Sequence, residues 1–534
     1  MPQAAASDEV ELLELRVLDG PNRFFNRPAV KLEFSGPQAG AAAAAAHEAG
    51  EVVRTLHLGL DLPEPRLTTR ESVDHRRAAI AYPWRRRVIA QAIGSAAVRV
   101  VLGSSTARRE LRGLRVVALG PLAHLPVPRI PIIAITGTNG KSTTTRLVAH
   151  IAAEAGLRVG MTNSDGIYVR GQLVEAGDWT GFGGASRVLA EPGLQLAVLE
   201  TARGGILLRG IGYSANDVSV VTNVSADHLG LQGIDTLDEL AEVKGAIVRI
   251  TRRDGWAVLN AEDPRVWGMR KQTRAGWYPF SLDPGSPAVA EALARGGRAA
   301  VVRGGALVLL RAGRPARRLA SVDELPVTFG GVSEYNVANA LAAAAAADAV
   351  GIGSRRIAAG LRSFTLDAES NPGRLNLYEH QQVLVLIDFA HNEAGLRGLL
   401  EVSRRLAPDG RVRVAIGTAG DRTDEILRNL GELAGAGADD VVICEKRHYL
   451  RGRELEAMNR ILRDGVAAGG YRREVASFPT ELAALQALVK RARAGDVVAC
   501  MTHVERAEIG AWLSSAGFKP VSADRLRARL AGSA

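Results

Sequence analysis

Cysteine is nearly absent from this 534-residue chain: Cys444 and Cys500 are the two, each inside an apolar run. Neither has a metal-ligand neighbour at useful spacing, which excludes a cysteine-built metal site and predicts two buried, reduced thiols. No run reaches the ~18 apolar residues of a spanning helix. The first fifteen residues are acidic and lack the basic start and apolar core of a signal peptide. The expectation is a soluble, cytoplasmic protein with no membrane partner. Gly and Pro together number 80, too few for a collagen-like repeat or wholesale disorder. Lysine is also scarce: seven of the 67 basic residues, the other sixty being arginine. The net charge of +10 invites a polyanionic partner. Yet no aromatic residues interleave with the basic stretches Arg85–Arg87 and Arg108–Arg115, so a solvated arginine surface and no nucleic-acid partner are expected.

The length calls for three or four cores. Residues 1–125 read as a small α+β unit, with strands at Val10–Val17 and Ala29–Phe34 and an alanine-rich helix over 38–55. Gly120–Arg129 reads as a linker. From Ile130 apolar strands alternate with helices: Ile130–Thr136, Leu157–Thr162, Leu194–Glu200, Val218–Val224 and Ala257–Asn260, the pattern of a parallel α/β sheet. Residues 285–330 read as a small antiparallel excursion, followed by a helix over Tyr335–Val350. A second α/β alternation has strands at Val383–Phe389, Val412–Gly417, Asp440–Cys444 and Asp496–Met501. The domains expected are therefore 1–125, 126–367 and 368–534.

The sharpest local signal is Gly137-Thr138-Asn139-Gly140-Lys141-Ser142-Thr143, between an apolar strand and a helix. Glycines let backbone N–H groups turn toward a polyphosphate, and the helix start favours negative charge. Lys141 would reach the β- and γ-phosphates, and the Ser142 hydroxyl would ligate Mg²⁺. Glu200 closes a strand at the edge where parallel sheets bind ligands; Thr222-Asn223 and Asp227-His228 fall on the same edge. Thr236 and Glu239 form a capping box. On the helix that follows, Leu237, Leu240, Ala241, Ile247 and Val248 make an apolar stripe, and Lys244 lies on that stripe rather than on the polar face.

These motifs, with Asn260-Ala261-Glu262-Asp263, Asn336-Val337-Ala338-Asn339-Ala340, Asn371-Pro372-Gly373-Arg374 and Asp388-Phe389-Ala390-His391-Asn392, resemble the Mur ligase family in content and order. The wording Glu200-Thr201-Ala202-Arg203-Gly204-Gly205 and the segment Thr162–Tyr168 are similar to the Mur-ligase-like part of cyanophycin synthetases. Leu18-Asp19-Gly20-Pro21-Asn22-Arg23 resembles the opening of their N-terminal domain. Only about fifteen residues separate Leu114 from the phosphate-loop strand, so the ATP-grasp domain found there in cyanophycin synthetases has no room. Tyr335 stands where many members have His, and Glu393 where many have Pro.

The resemblance implies a P-loop-containing parallel-sheet middle domain, a Rossmann-like α/β C-terminal domain and a small α+β N-terminal domain. It implies an ATP-dependent ligase that activates a carboxylate as an acyl phosphate and joins it to the amine of an amino acid. Lys141, Glu200, His228, Lys244 and Arg374 would be catalytic. Residues Gly137 to Thr143, Asn260, Asn336, Arg374, Asp388 and His391 would bind nucleotide. Ser142, Glu200, His228 and Lys244 would serve one or two Mg²⁺ ions, Lys244 as a carbamate. Thr162, Asp165, Arg203 and Asn392 would contact substrate. The partners implied are an amino acid and a peptide or amino-acid carboxylate, with a second copy of the chain or a separate ATP-grasp ligase left open. The alternative is a catalytically silent ATP-binding partner of such a ligase.

Overall fold

A computed structural model describes residues 9–227 and 229–531. Three sheets, each with its own apolar cluster, organise the chain. The first is four-stranded and antiparallel, with the order Glu11–Leu18, Ala29–Ser35, Arg77–Pro83, Thr68–Glu71. Helices Ala41–Gly59 and Arg87–Val101 cover one face of it. Thr68–Glu71 carries no apolar residue, and Arg77–Pro83 is a buried run from Ala78 to Tyr82 without alternation, which is why periodicity does not reveal them.

The middle sheet has eleven strands, and in its interior runs Ile132–Thr136, whose residues are all buried. Asn216–Val221 and Leu196–Glu200 flank it in parallel. Continuous apolar runs are what a strand covered on both faces requires. Beyond Asn216–Val221 lie Thr251–Asn260, Gly276–Ser281 and Arg298–Arg303, then the antiparallel Ala306–Arg311 and Arg317–Ser321. The expected antiparallel excursion is thus an extension of the same sheet. Val159–Thr162 and a hairpin, Gly166–Val169 with Gln172–Ala176, close the other side. Ala340 to Ala347 of the helix Glu334–Ala349 are fully buried; an alanine surface lets that helix lie close against the sheet and the helix Lys141–Glu154.

The third sheet has Val383–Asp388, Val497–Met501, Val412–Ile416 and Asp440–Cys444 as parallel neighbours, with antiparallel Asn376–His380 outside. Cys444 and Cys500 are buried free thiols on two of these strands. No helix among the described residues is long and apolar enough to cross a membrane.

One expected element is divided. The capping box of Thr236 and Glu239 forms, but its helix ends at Lys244, and Ile247 and Val248 belong to a separate short helix, Ala246–Arg249. The interruption falls at Gly245, which itself keeps right-handed helical dihedrals.

Candidate active site

Gly137 and Gly140 have positive φ, 151° and 82°. A Cβ on Gly137 would collide with the Thr222 hydroxyl, and one on Gly140 with the Asn339 amide. Both positions therefore need glycine. Gly140 starts the helix Lys141–Glu154, so the loop and the first helical N–H groups face one hollow, as an anion site requires. The loop is tied to the neighbouring strand end. The Asn223 carbonyl accepts from Thr138 N at 2.9 Å, its Oδ1 accepts from Asn139 N at 2.9 Å, and Thr222 Oγ1 donates to the Asn139 carbonyl at 2.6 Å. Lys141 Nζ folds back onto the Thr138 carbonyl at 2.9 Å. Ser142 Oγ lies 3.2 Å from Ser164 Oγ.

Glu200 is 3% exposed, and its Oε2 has no hydrogen-bond partner. Burial raises its carboxyl above the usual carboxylate range, against the pull of Lys141 and the Ser142 hydroxyl. An orphaned buried carboxylate oxygen is costly unless a cation meets it. Carboxylate and hydroxyl oxygens beside a phosphate hollow fit a hard divalent cation. Among the described residues no three His, Cys, Asp or Glu side chains converge to hold a metal, so Mg²⁺ here would draw further ligands from phosphate and water, its ordinary habit. His228 lies outside the described residues.

Lys244 is 4% exposed, and its Nζ donates to the Gly137 carbonyl at 2.6 Å. Burial, with Lys141 and Arg203 adding repulsion, brings its pKa down to about 7 against the pull of Asp227 and Glu200. A substantial fraction of this amine is neutral at ordinary pH.

The third sheet supplies the opposite wall. The Arg374 guanidinium stacks over the Phe389 ring at 4.3 Å, with Nη2 3.5 Å from Ser142 Oγ. Asp388 accepts from Leu375 N at 2.9 Å and Ala390 N at 2.7 Å; burial raises its carboxyl, opposed by Arg374. His391 Nε2 lies 3.5 Å from Asp227 Oδ2, and Arg422 Nη2 lies 3.0 Å from Asp227 Oδ1. Asn260 Nδ2 donates to the Thr222 carbonyl at 2.7 Å, and Asn336 Oδ1 accepts from Asn339 at 3.0 Å. Tyr335 packs its ring against Gly398 of the third sheet's helix Glu393–Leu406. Together the two walls enclose a cleft of about 1180 Å³ that Lys141, Glu200, Lys244, Asn260, Arg374 and Asp388 all line.

The four expected substrate contacts separate. Arg203 lines the cleft and donates to the Leu231 carbonyl. Thr162, Asp165 and Asn392 are not among the residues that line it. Thr162 is buried with its hydroxyl unpartnered. Asp165 is clamped between Arg146 Nη2 at 3.0 Å and Arg506 Nη1 at 2.8 Å. Asn392 exchanges amide hydrogen bonds with Asn139 at 3.2 and 3.1 Å. Asp165 and Asn392 thus join the middle and third sheets. Ser164, Arg422 and Arg506 went unnoticed in the sequence. Ser164 sits within a segment already singled out; the two arginines have no local pattern to distinguish them among sixty.

The family profile "Mur ligase middle domain" matches residues 135–347, and "Mur ligase, glutamate ligase domain" matches 373–503. A 2,6-diaminopimelate-adding UDP-N-acetylmuramoyl-L-alanyl-D-glutamate ligase of Gloeobacter violaceus is 30% identical over 385 residues, 70% of this chain and 72% of that protein. The chain belongs to the Mur ligase family. Cyanophycin synthetase of Trichormus variabilis is 41% identical over 338 residues, 63% of this Mur ligase family member but 37% of the relative. The match therefore spans well under half of that protein's length. Among solved structures, E. coli FolC in complex with DHPP and ADP has a TM-score of 0.53 at 21% identity, covering 73% of this chain and 90% of that one. At that identity the likeness is one of fold.

Proposed function

We propose that the protein is an ATP-dependent ligase that activates a carboxylate as an acyl phosphate and joins it to an amino-acid amine. The observation that carries this reading is the convergence, in one cleft, of Lys141, Glu200 and Lys244 from the middle sheet with Arg374 and Asp388 from the third. A carboxylate and an amine do not condense at neutral pH, because oxide is too poor a leaving group. When the carboxylate oxygen attacks the γ-phosphorus of ATP, the bond to the β-phosphate breaks, ADP leaves, and the acyl phosphate formed has phosphate as its leaving group. The amine then attacks the acyl carbon, the C–O bond to phosphate breaks, and the amine's proton is lost.

Several anions must gather for this, and positive charge held in place beforehand is the principal source of rate. Lys141 and Arg374 supply it from the two walls, and Arg374 is kept in orientation by the Phe389 ring. Mg²⁺, when bound by Ser142 and Glu200, would neutralise phosphate charge as transfer proceeds. Lys244, with its pKa brought to about 7, has the neutral amine that carbamylation needs, and a carbamate there would convert a buried cation into an anion beside a second ion. Asp388 and Asn336 would hold the nucleotide, and Arg203 a substrate carboxylate. The silent-partner alternative gains nothing from the structure. A buried lysine and an orphaned buried glutamate both cost stability, and such costs are characteristic of working sites.

The joined pair is proposed by similarity to cyanophycin synthetase: an amino acid and a peptide or amino acid bearing a free carboxylate. The test is an ADP-release screen over amino-acid pairs and short Asp- or Glu-containing peptides. ADP release that requires both a carboxylate and an amine is expected. Hydrolysis indifferent to both would overturn the reading.

A further inference from the structure

The first sheet and its helices form a module that lines almost none of the cleft, and the motif Asp19-Gly20-Pro21-Asn22-Arg23 has no part in the chemistry above. Its contacts nevertheless converge on the two short helices that present Arg203 and Lys244. Arg203–Leu208 has six residues and Leu237–Lys244 has eight; helices this short are marginal without tertiary support.

Behind the first helix, Asp19 N and Gly20 N both donate to the Arg209 carbonyl, at 2.7 and 3.2 Å, and Ile211 N donates to the Pro21 carbonyl at 2.7 Å. Asp19 Oδ2 also takes Arg209 Nη2 at 3.0 Å. A Cβ on Gly20 would run into the Ile211 carbonyl, so this approach needs glycine. Behind the second helix, Arg23, 7% exposed, reaches Glu239 at 3.0 Å and Glu242 at 2.8 Å. Arg70 from the strand Thr68–Glu71 takes the same Glu242. Arg249 closes the arrangement by donating to the Asn22 carbonyl at 2.7 Å. Asn22 is fully buried, and its side chain bonds Gly20, Phe24, Phe25 and Arg27, which stiffens the loop that delivers Arg23. Glu242 lies about half a turn from Lys244, so the helix is gripped from behind while Lys244 points at the phosphate loop.

We propose that Asp19, Arg23 and Arg70 are positioning residues: the N-terminal module is a brace that holds Arg203 and Lys244 at the cleft. Its kinetic consequence rests on the ligase reading; its structural consequence does not. The test uses the full chain. In hydrogen exchange without substrate, the Arg23→Ala/Arg70→Ala variant should exchange faster over residues 237–249, and Asp19→Ala faster over 203–211, with the helix Lys141–Glu154 unchanged in both. Turnover in the double variant should fall about tenfold or more, since small misplacements of reacting groups are costly, while KM for ATP stays within about twofold. Arg70→Lys should recover part of both effects relative to Arg70→Ala, a single change at a half-exposed side chain that serves if the double variant does not fold. Exchange that is unchanged, or raised evenly over the chain, overturns the brace. So does a rise in KM for ATP with turnover intact. Localised exchange in a protein that ligates nothing would leave the brace standing and remove the ligase reading instead.

Discussion

The middle sheet meets a neighbour on each side, and the two interfaces are built differently. Toward the N-terminal module, arginines meet carboxylates in shared pairs, Arg23 and Arg70 on Glu242 and Arg77 on Asp235 at 2.6 Å, reinforced by backbone hydrogen bonds at Asp19 and Ile211. Toward the third sheet, the polar ties are fewer: an amide pair at Asn139 and Asn392, the Arg146–Asp165–Arg506 clamp, Asp227 with His391 and Arg422, and the contacts of Asn371 with Thr143 and Arg374 with Ser142, beside the apolar packing of Phe329 into the third sheet's core. Those few ties surround a large cleft. A dense interface suits an element that must not move, and a sparse one suits walls that must part for substrate and close again. Arg506 strengthens this contrast, because it also donates to the Pro372 carbonyl at 3.2 Å and packs over Gly373, next to Arg374.

The contrast can be broken in order of expected effect. Lys141→Ala should abolish substrate-dependent ADP release, a loss on the order of 10³-fold or more for charge removed from a phosphoryl-transfer site. Release that persists would deny the phosphate loop its role. Arg374→Ala, on the sparse side, should cost about 10²-fold in turnover, read in the same assay. Lys244→Ala should also be slow, but partly restored by added small carboxylates that replace a carbamate; Lys141→Ala should not respond. Equal behaviour of the two variants would end the carbamate idea. Arg506→Ala should raise KM for ATP by about tenfold or less, the range for a partly exposed ion pair, and small-angle scattering should show a larger radius without nucleotide. An unchanged radius would mean that Arg506 is not a closing tie.

The smallest effect is on stability. The unfolded chain keeps a proton on Lys244 up to about pH 10.5, whereas the folded amine loses it near pH 7. Between those values the unfolded state binds more protons, so this group makes stability rise with pH across the window. Lys244→Met should therefore raise Tm by a few degrees near pH 7, in carbonate-free buffer, with the gain shrinking toward pH 10. Thermal unfolding at several pH values checks it, and a gain that grows with pH would contradict the burial argument.

The parallel strands were legible because burial on both faces demands unbroken apolar runs, as in Ile132–Thr136 and Val497–Met501. The placement of Lys141, Ser142 and Glu200 was legible because a glycine-rich strand-to-helix turn and a strand-end carboxylate are local arrangements, written within a few residues. Thr68–Glu71 escaped because a short, half-exposed strand without apolar residues carries no periodic signal, and Arg77–Pro83 because its buried run from Ala78 to Tyr82 is mostly alanine, which reads equally well as helix. The roles of Asp165 and Asn392 were not readable either. Asp165 meets Arg506 across 341 residues and Asn392 meets Asn139 across 253, so nothing in the surrounding sequence marks them as ties between sheets.

By itself, then, the sequence determined the parallel strand runs, the glycine-rich turn from Gly137 to Thr143 and the Mur ligase resemblance, since each depends on residues close together in the chain. Tertiary structure alone singled out Arg70 and Arg506. Both are chemically identical to the other arginines, and only the carboxylates and the carbonyl that folding brings to them set them apart. It also decided that Lys244 is neutral for much of its time near pH 7, because desolvation comes from the packed surroundings and not from the residue.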